Sequence, residues 1–162
     1  MRGLATLWGL GRIGPAPGTL GALAALPLGW LLHWLGGFPG LAAGTVAVTL
    51  AGHAAIRAYL PKVGAADPQE VIVDETAGQL LALWPLSAGL WLAGAAPHLF
   101  PWPGWVGAFV LFRLFDIWKP GPIRRLEKLP GATGVMADDL GAGTAAALCV
   151  ALLAALAHGV AM

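Results

Sequence analysis

Charged residues are few in this sequence. Nine Lys and Arg and eight Asp and Glu make up 10% of 162 residues, where a soluble domain carries about 25%. With a mean hydropathy of +0.76, that scarcity argues against a water-soluble globule and for a chain embedded in a membrane. The net charge of +1 offers no basic surface to a polyanion, so no nucleic-acid partner is expected. Cys149 is the only cysteine; an intrachain disulfide is excluded, and its apolar surroundings mark it as packing. The phosphate-loop pattern G-x-x-x-x-G-K-[ST] is absent, so "VIVDE", Val71 to Glu75, lacks the companion that an ATPase reading needs. The C-x5-R, D-x-D-x-[TV] and P-S-G-H signatures of several phosphatase classes are absent too. The first apolar run is interrupted by "GLGRIGPAPG", Gly9 to Gly18, which does not suit a signal peptide. No repeat or composition shift divides the chain, and residues 1–162 read as a single membrane-embedded domain.

What is abundant is apolar sequence in lengths suited to a bilayer, whose core takes about 20 residues per helix. Five spans are expected: Thr19–Leu35, Leu41–Leu60, Thr76–Ala96, Trp102–Trp118 and Leu140–Val160. Pro27 and Pro85 fall inside two of them and predict kinks. Small-residue faces at Gly40/Gly44 and Gly141/Ala145 suit close helix packing. The fold class is thus all-α, a polytopic helical bundle. With five spans, every Lys, Arg, Asp and Glu falls at one membrane face, and the positive-inside rule makes that face cytoplasmic. The N-terminus is then inside.

Those charges form a pattern. "FRLFDIWKP", Phe112 to Pro120, puts Arg113, Asp116 and Lys119 on one face of a helix end. Two adjacent acid pairs open neighbouring spans at the same depth, Asp74-Glu75 and Asp138-Asp139. Five carboxylates gathered there would repel unless a cation sits among them. Oxygen donors suit Mg²⁺, which commonly shares its coordination between protein carboxylates and a substrate phosphate. Simpler readings exist for each piece. Acids at a helix start cap it, Arg113 and Asp116 are spaced as an i,i+3 pair, and Arg124, Arg125 and Lys128 suit a topology anchor. Asp67 and Glu70 read as solvated loop. His33, His53, His98 and His158 show no paired spacing and read as structural, and Ser87 has no evident base partner. "GRIGPAPGTLG", Gly11 to Gly21, leads into a helix with Thr19 near its start, a place where exposed N–H groups bind phosphate. Arg12 stands beside that turn. Asp74, Glu75, Asp116, Asp138 and Asp139 are the expected catalytic and metal-binding residues, and Arg12, Thr19, Arg113 and Lys119 the expected substrate contacts.

Three stretches together, "GLGRIGPAPGTLGALAALP", "VIVDETAGQLLAL" and "FRLFDIWKPGPIRRLEKLPGATGVMADDLGAG", resemble the phosphatidylglycerophosphatase A family of bacterial membrane lipid phosphatases. The third is the most specific, reading FR-x-FD-x-x-KP-x-PI and then G-x-M-x-DD-x-x-AG. The chain departs from the family's pattern at Gly121, where a tryptophan is usual, and at Val135, where isoleucine is usual. The resemblance implies Mg²⁺-dependent removal of the terminal phosphate from phosphatidylglycerophosphate, at the cytoplasmic face of the bacterial inner membrane. A small transporter that uses interfacial carboxylates is the competing reading. It would place charges near the midplane and often shows repeat symmetry.

Overall fold

The computed structural model of the chain describes residues 1–65, 68–99 and 101–160, with side chains through residue 157. Asp67 and the His158 side chain therefore lie outside the described residues. In order, the described elements are α1 (Arg2–Ala5), a 3-10 segment (Leu7–Arg12), α2 (Pro17–Val63), α3 (Val73–Ala82), α4 (Trp84–Leu92), α5 (Trp102–Trp118), α6 (Gly121–Glu127) and α7 (Ala132–Val160). No strand occurs among the described residues, as an all-α fold requires. Val73, Asp74 and Glu75 of "VIVDE" open helix α3, and none of the five residues is in a strand.

Two helices, α2 and α7, are long and apolar enough to cross a membrane. The 47-residue α2 is not one rod, because Gly36 (φ −145°, ψ 15°) and Gly37 (φ 60°, ψ −152°) break its helical backbone. Its two arms fold back on each other. A Cβ on Gly40 would lie 2.7 Å from the Leu32 carbonyl, and one on Gly44 would lie 2.5 Å from Leu32 Cδ1. In an unbroken helix, residues 32 and 40 would stand about 12 Å apart. The Gly40/Gly44 face therefore packs as expected, but two glycines make the turn where a longer loop was expected. Pro27, Pro39 and Pro61 sit inside α2, yet none has non-helical backbone angles. The physical reason is that proline's fixed φ is itself helical, whereas the positive φ at Gly37 suits glycine.

The third expected span is divided at Leu83 into α3 and α4, with Pro85 in the first turn of α4. Pro85 has no N–H to offer the Leu81 carbonyl. Helix α5 has its expected bounds, and α7 begins at Ala132, well before Leu140. Helix α3 packs most extensively on α2 and α7. Its contact with α7 is backbone on backbone, since a Cβ on Gly78 would fall 2.5 Å from the Asp139 carbonyl oxygen and 2.6 Å from Phe112 Cε2. Gly143 answers from α7, its Cα resting against the Gly78 carbonyl. Trp105 and Phe112 of α5 are fully buried. Leu35, Leu50, Leu92, Ile117 and Leu148 instead face outward. So much outward apolar surface is unfavourable in water and suits lipid.

Candidate active site

One cavity of about 270 Å³ collects the acids and bases. Asp74 and Glu75 come from the first turn of α3, Arg113 and Asp116 from the last part of α5, and Asp138 and Asp139 from α7. Lys119 terminates α5 with a left-handed backbone (φ 45°, ψ 65°), which turns the chain at Pro120. Pro15, Ala16, Pro17 and Gly18, the entry to α2, form one further wall, and Gln69 and Val71 another. The first turn of α7 holds no acid, so helix capping does not account for Asp138 and Asp139. For Asp74 and Glu75, the helix start and the cavity coincide.

Within the cavity the charges are paired, both within α5 and from its end to other elements. Lys119 Nζ donates to Asp138 Oδ2 at 2.5 Å and to Glu127 Oε1 at 3.2 Å. Burial alone would lower the Lys119 pKa, but the hydrogen bond and charge of Asp138, joined by those of Glu127, raise it above the ordinary lysine value. Lys119 stays protonated at every physiological pH. Arg113 donates to Asp116 through Nη1, while its Nε is buried without a hydrogen-bond partner. The i,i+3 pair expected from spacing is therefore real, and it faces the cavity.

Asp74, Glu75 and Asp139 each offer a carboxylate oxygen, and these atoms lie within 4.8 Å of one another. Glu75 Oε2 is buried with no hydrogen-bond partner. Three hard oxygen donors converging in a partly buried site fit a divalent cation. Gln79 lies one turn along α3 from Glu75, fully buried, with neither amide atom hydrogen-bonded. Sequence reasoning passed over it, although a glutamine within "GQLLAL" is the kind of membrane-depth polar group that usually has a task.

Two expected substrate contacts are placed elsewhere. Arg12 and Thr19 do not line the cavity. Arg12 Nε donates to Glu70 Oε2 at 2.6 Å, so Glu70 is not a merely solvated loop residue. Arg12, then Tyr59, hold the Glu70 carboxyl below its ordinary pKa by donating to it. The stabilisation this gives is complete above the ordinary glutamate value and disappears as pH falls through the lower folded value. Ser87 does have a partner, since its Oγ lies 2.7 Å from His33 Nδ1. Both are buried, join α2 to α4, and lie apart from the residues that line the acidic cavity.

Comparison with known proteins bears on what such a cavity does. The family model described as "Phosphatidylglycerophosphatase A" matches residues 3–154. A Haemophilus influenzae protein named phosphatidylglycerophosphatase A is 36% identical over 148 residues, covering 91% of this chain and 84% of its own. An Escherichia coli protein of the same name is 33% identical over 153 residues, covering 89% and 77%. A Bacteroides thetaiotaomicron protein that carries the provisional name of a phosphatidylinositol-3-phosphatase is 37% identical over 142 residues, covering 85% and 82%. No solved structure matches the chain.

Proposed function

The chain belongs to the phosphatidylglycerophosphatase A family, and from that premise we propose that it hydrolyses phosphatidylglycerophosphate to phosphatidylglycerol and inorganic phosphate, with Mg²⁺, at the cytoplasmic face of the membrane. That it is a phosphatase follows from the family. The lipid, the metal and the membrane face are the proposal. The observation that carries it is the joining of five carboxylates with Arg113 and Lys119 in one cavity. A transporter reading is disfavoured, because these charges cluster at one end of the helices and no repeat relates the two halves.

Asp74, Glu75 and Asp139 would hold the metal, which supplies Lewis-acid neutralisation of phosphate charge. Arg113 and Lys119 would bind the phosphate oxygens, oriented by Asp116 and Asp138. The first turn of α2 adds backbone N–H groups at its positive end. A cavity carboxylate takes a proton from the attacking water as its oxygen bonds to phosphorus. The phosphorus–oxygen bond to the glycerol then breaks, and the glycerol oxygen takes up a proton. An aspartyl-phosphate intermediate is the alternative course.

The decisive assay is phosphate release by the purified protein from phosphatidylglycerophosphate and from phosphatidylinositol 3-phosphate. Release from the first lipid, lost in EDTA and restored by Mg²⁺, is expected. Full activity in EDTA would remove the metal, and preference for the inositol lipid would change the substrate.

The topology has its own check. In a Cys149→Ser background, Gly36→Cys and His98→Cys should react with an impermeant thiol reagent from outside the cell. Lys62→Cys and Arg125→Cys should react only after the membrane is opened. Labelling of Arg125→Cys in intact cells would reverse the orientation.

A further inference from the structure

Two walls of the cavity are joined behind its lining. Pro15 to Gly18 form one, directly after Arg12, and Gln69 and Val71 form the other, on either side of Glu70. The joining residues themselves do not line the cavity. Arg12 Nε donates to Glu70 Oε2 at 2.6 Å, and the Tyr59 hydroxyl, from the end of α2, donates to Glu70 Oε1. The backbones are fastened as well. Ile72 N donates to the Ala5 carbonyl at 3.0 Å, and Gly11 rests so closely on the Glu70 carbonyl that a methyl group there has no room. Tyr59 is buried beside Ala5, Val71 and Val73, so the third leg of the arrangement is anchored in the core.

We propose that Arg12, Glu70 and Tyr59 form a clasp that sets the spacing between these two walls, making all three positioning residues for lipid headgroup binding. Arg12 thus acts through Glu70, and its loss and the loss of Glu70 should have the same kinetic form. The metal-holding acids stand on α3 and α7, whose close backbone contact at Gly78 does not involve the clasp. Loosening it should therefore weaken binding more than the chemical step. The kinetic consequence rests on the phosphatase reading; the structural one does not.

The test compares Arg12→Gln, Glu70→Gln and the charge swap Arg12→Glu/Glu70→Arg in the full chain in detergent. KM and kcat are measured on phosphatidylglycerophosphate, with amide hydrogen exchange at Gly11 and Ile72 and the melting temperature. Each single variant should raise KM about fivefold while kcat stays within about twofold, as loss of a partly exposed ion pair predicts. Exchange at Ile72 should quicken in both singles, and the swap should recover most of both effects. Wild-type KM in Glu70→Gln beside an impaired Arg12→Gln would make Arg12 a direct phosphate ligand and overturn the clasp. So would a swap no better than either single, or a KM that follows melting temperature alone. Should the wild-type protein release phosphate from neither lipid, the phosphatase reading falls while exchange still decides the clasp. Quickening reversed by the swap sustains it, and unchanged exchange overturns it.

Discussion

Asp139→Asn should lower kcat/KM by at least about a hundredfold while the melting temperature holds or rises, the usual scale for removing a metal-binding or charge-stabilising group. Asp139 is buried at 4% exposure and shares its corner of the cavity with Asp74 and Glu75. Without a cation, three carboxylates so close repel one another, and replacing one with a neutral amide relieves that repulsion. The same replacement removes a charged oxygen donor that Mg²⁺ favours. Activity and stability should therefore move in opposite directions. Asp74→Asn should do the same, by the same argument. Titration of activity with Mg²⁺, beside melting in detergent, checks both. Parallel losses of activity and stability would make these acids structural, and unchanged activity would remove them from the site.

Gly78→Ala should destabilise the protein by about 1–3 kcal/mol and reduce activity by about tenfold or more, because small misplacements of reacting groups are costly. The added methyl would lie 2.5 Å from a backbone oxygen, that of Asp139. No side-chain rotation relieves such a contact. Helices α3 and α7 must separate, and they carry Asp74, Glu75 and Asp139. Gly107→Ala is the control, since no atom lies within 4 Å of a Cβ there, and alanine favours the helix. Melting curves and kcat/KM for the two variants should diverge; if they coincide, the α3–α7 contact is looser than described.

The helical class, the bounds of α5 and the charged residues of the acidic cavity were legible in the sequence. Asp74, Glu75, Arg113, Asp116, Lys119, Asp138 and Asp139 line one space because charge is so scarce that almost any cluster of it carries information. The start of α7 was not legible. "GATGVMADD" has too little apolar weight to read as part of a span, yet it is helical from Ala132, held by packing of α6 and α7. The break in α2 at Gly36 and Gly37 falls in the gap expected between the first two spans, whereas the kink expected at Pro27 does not occur. The partner of Arg12 was hidden for a different reason. Glu70 lies 58 positions away, and an acid in a polar connector looks the same whether it is solvated or paired. Ser87 and His33 were missed on similar grounds, since only the folding back of α2 against α4 brings them together.

The two-glycine turn also bears on how the chain enters the bilayer. Between Arg12 and Arg57 the sequence has no Lys, Arg, Asp or Glu, and Gly36 and Gly37 alone reverse the chain. In the proposed topology, that turn is the part of α2 that must be carried across the lipid. It takes no side-chain charge with it, and translocating one such charge at the bilayer centre costs about 2.5–3.5 kcal/mol on insertion scales. The arms can therefore integrate as a preformed hairpin, each covering backbone of the other, while Arg12 and Arg57 hold both ends at the side from which synthesis proceeds.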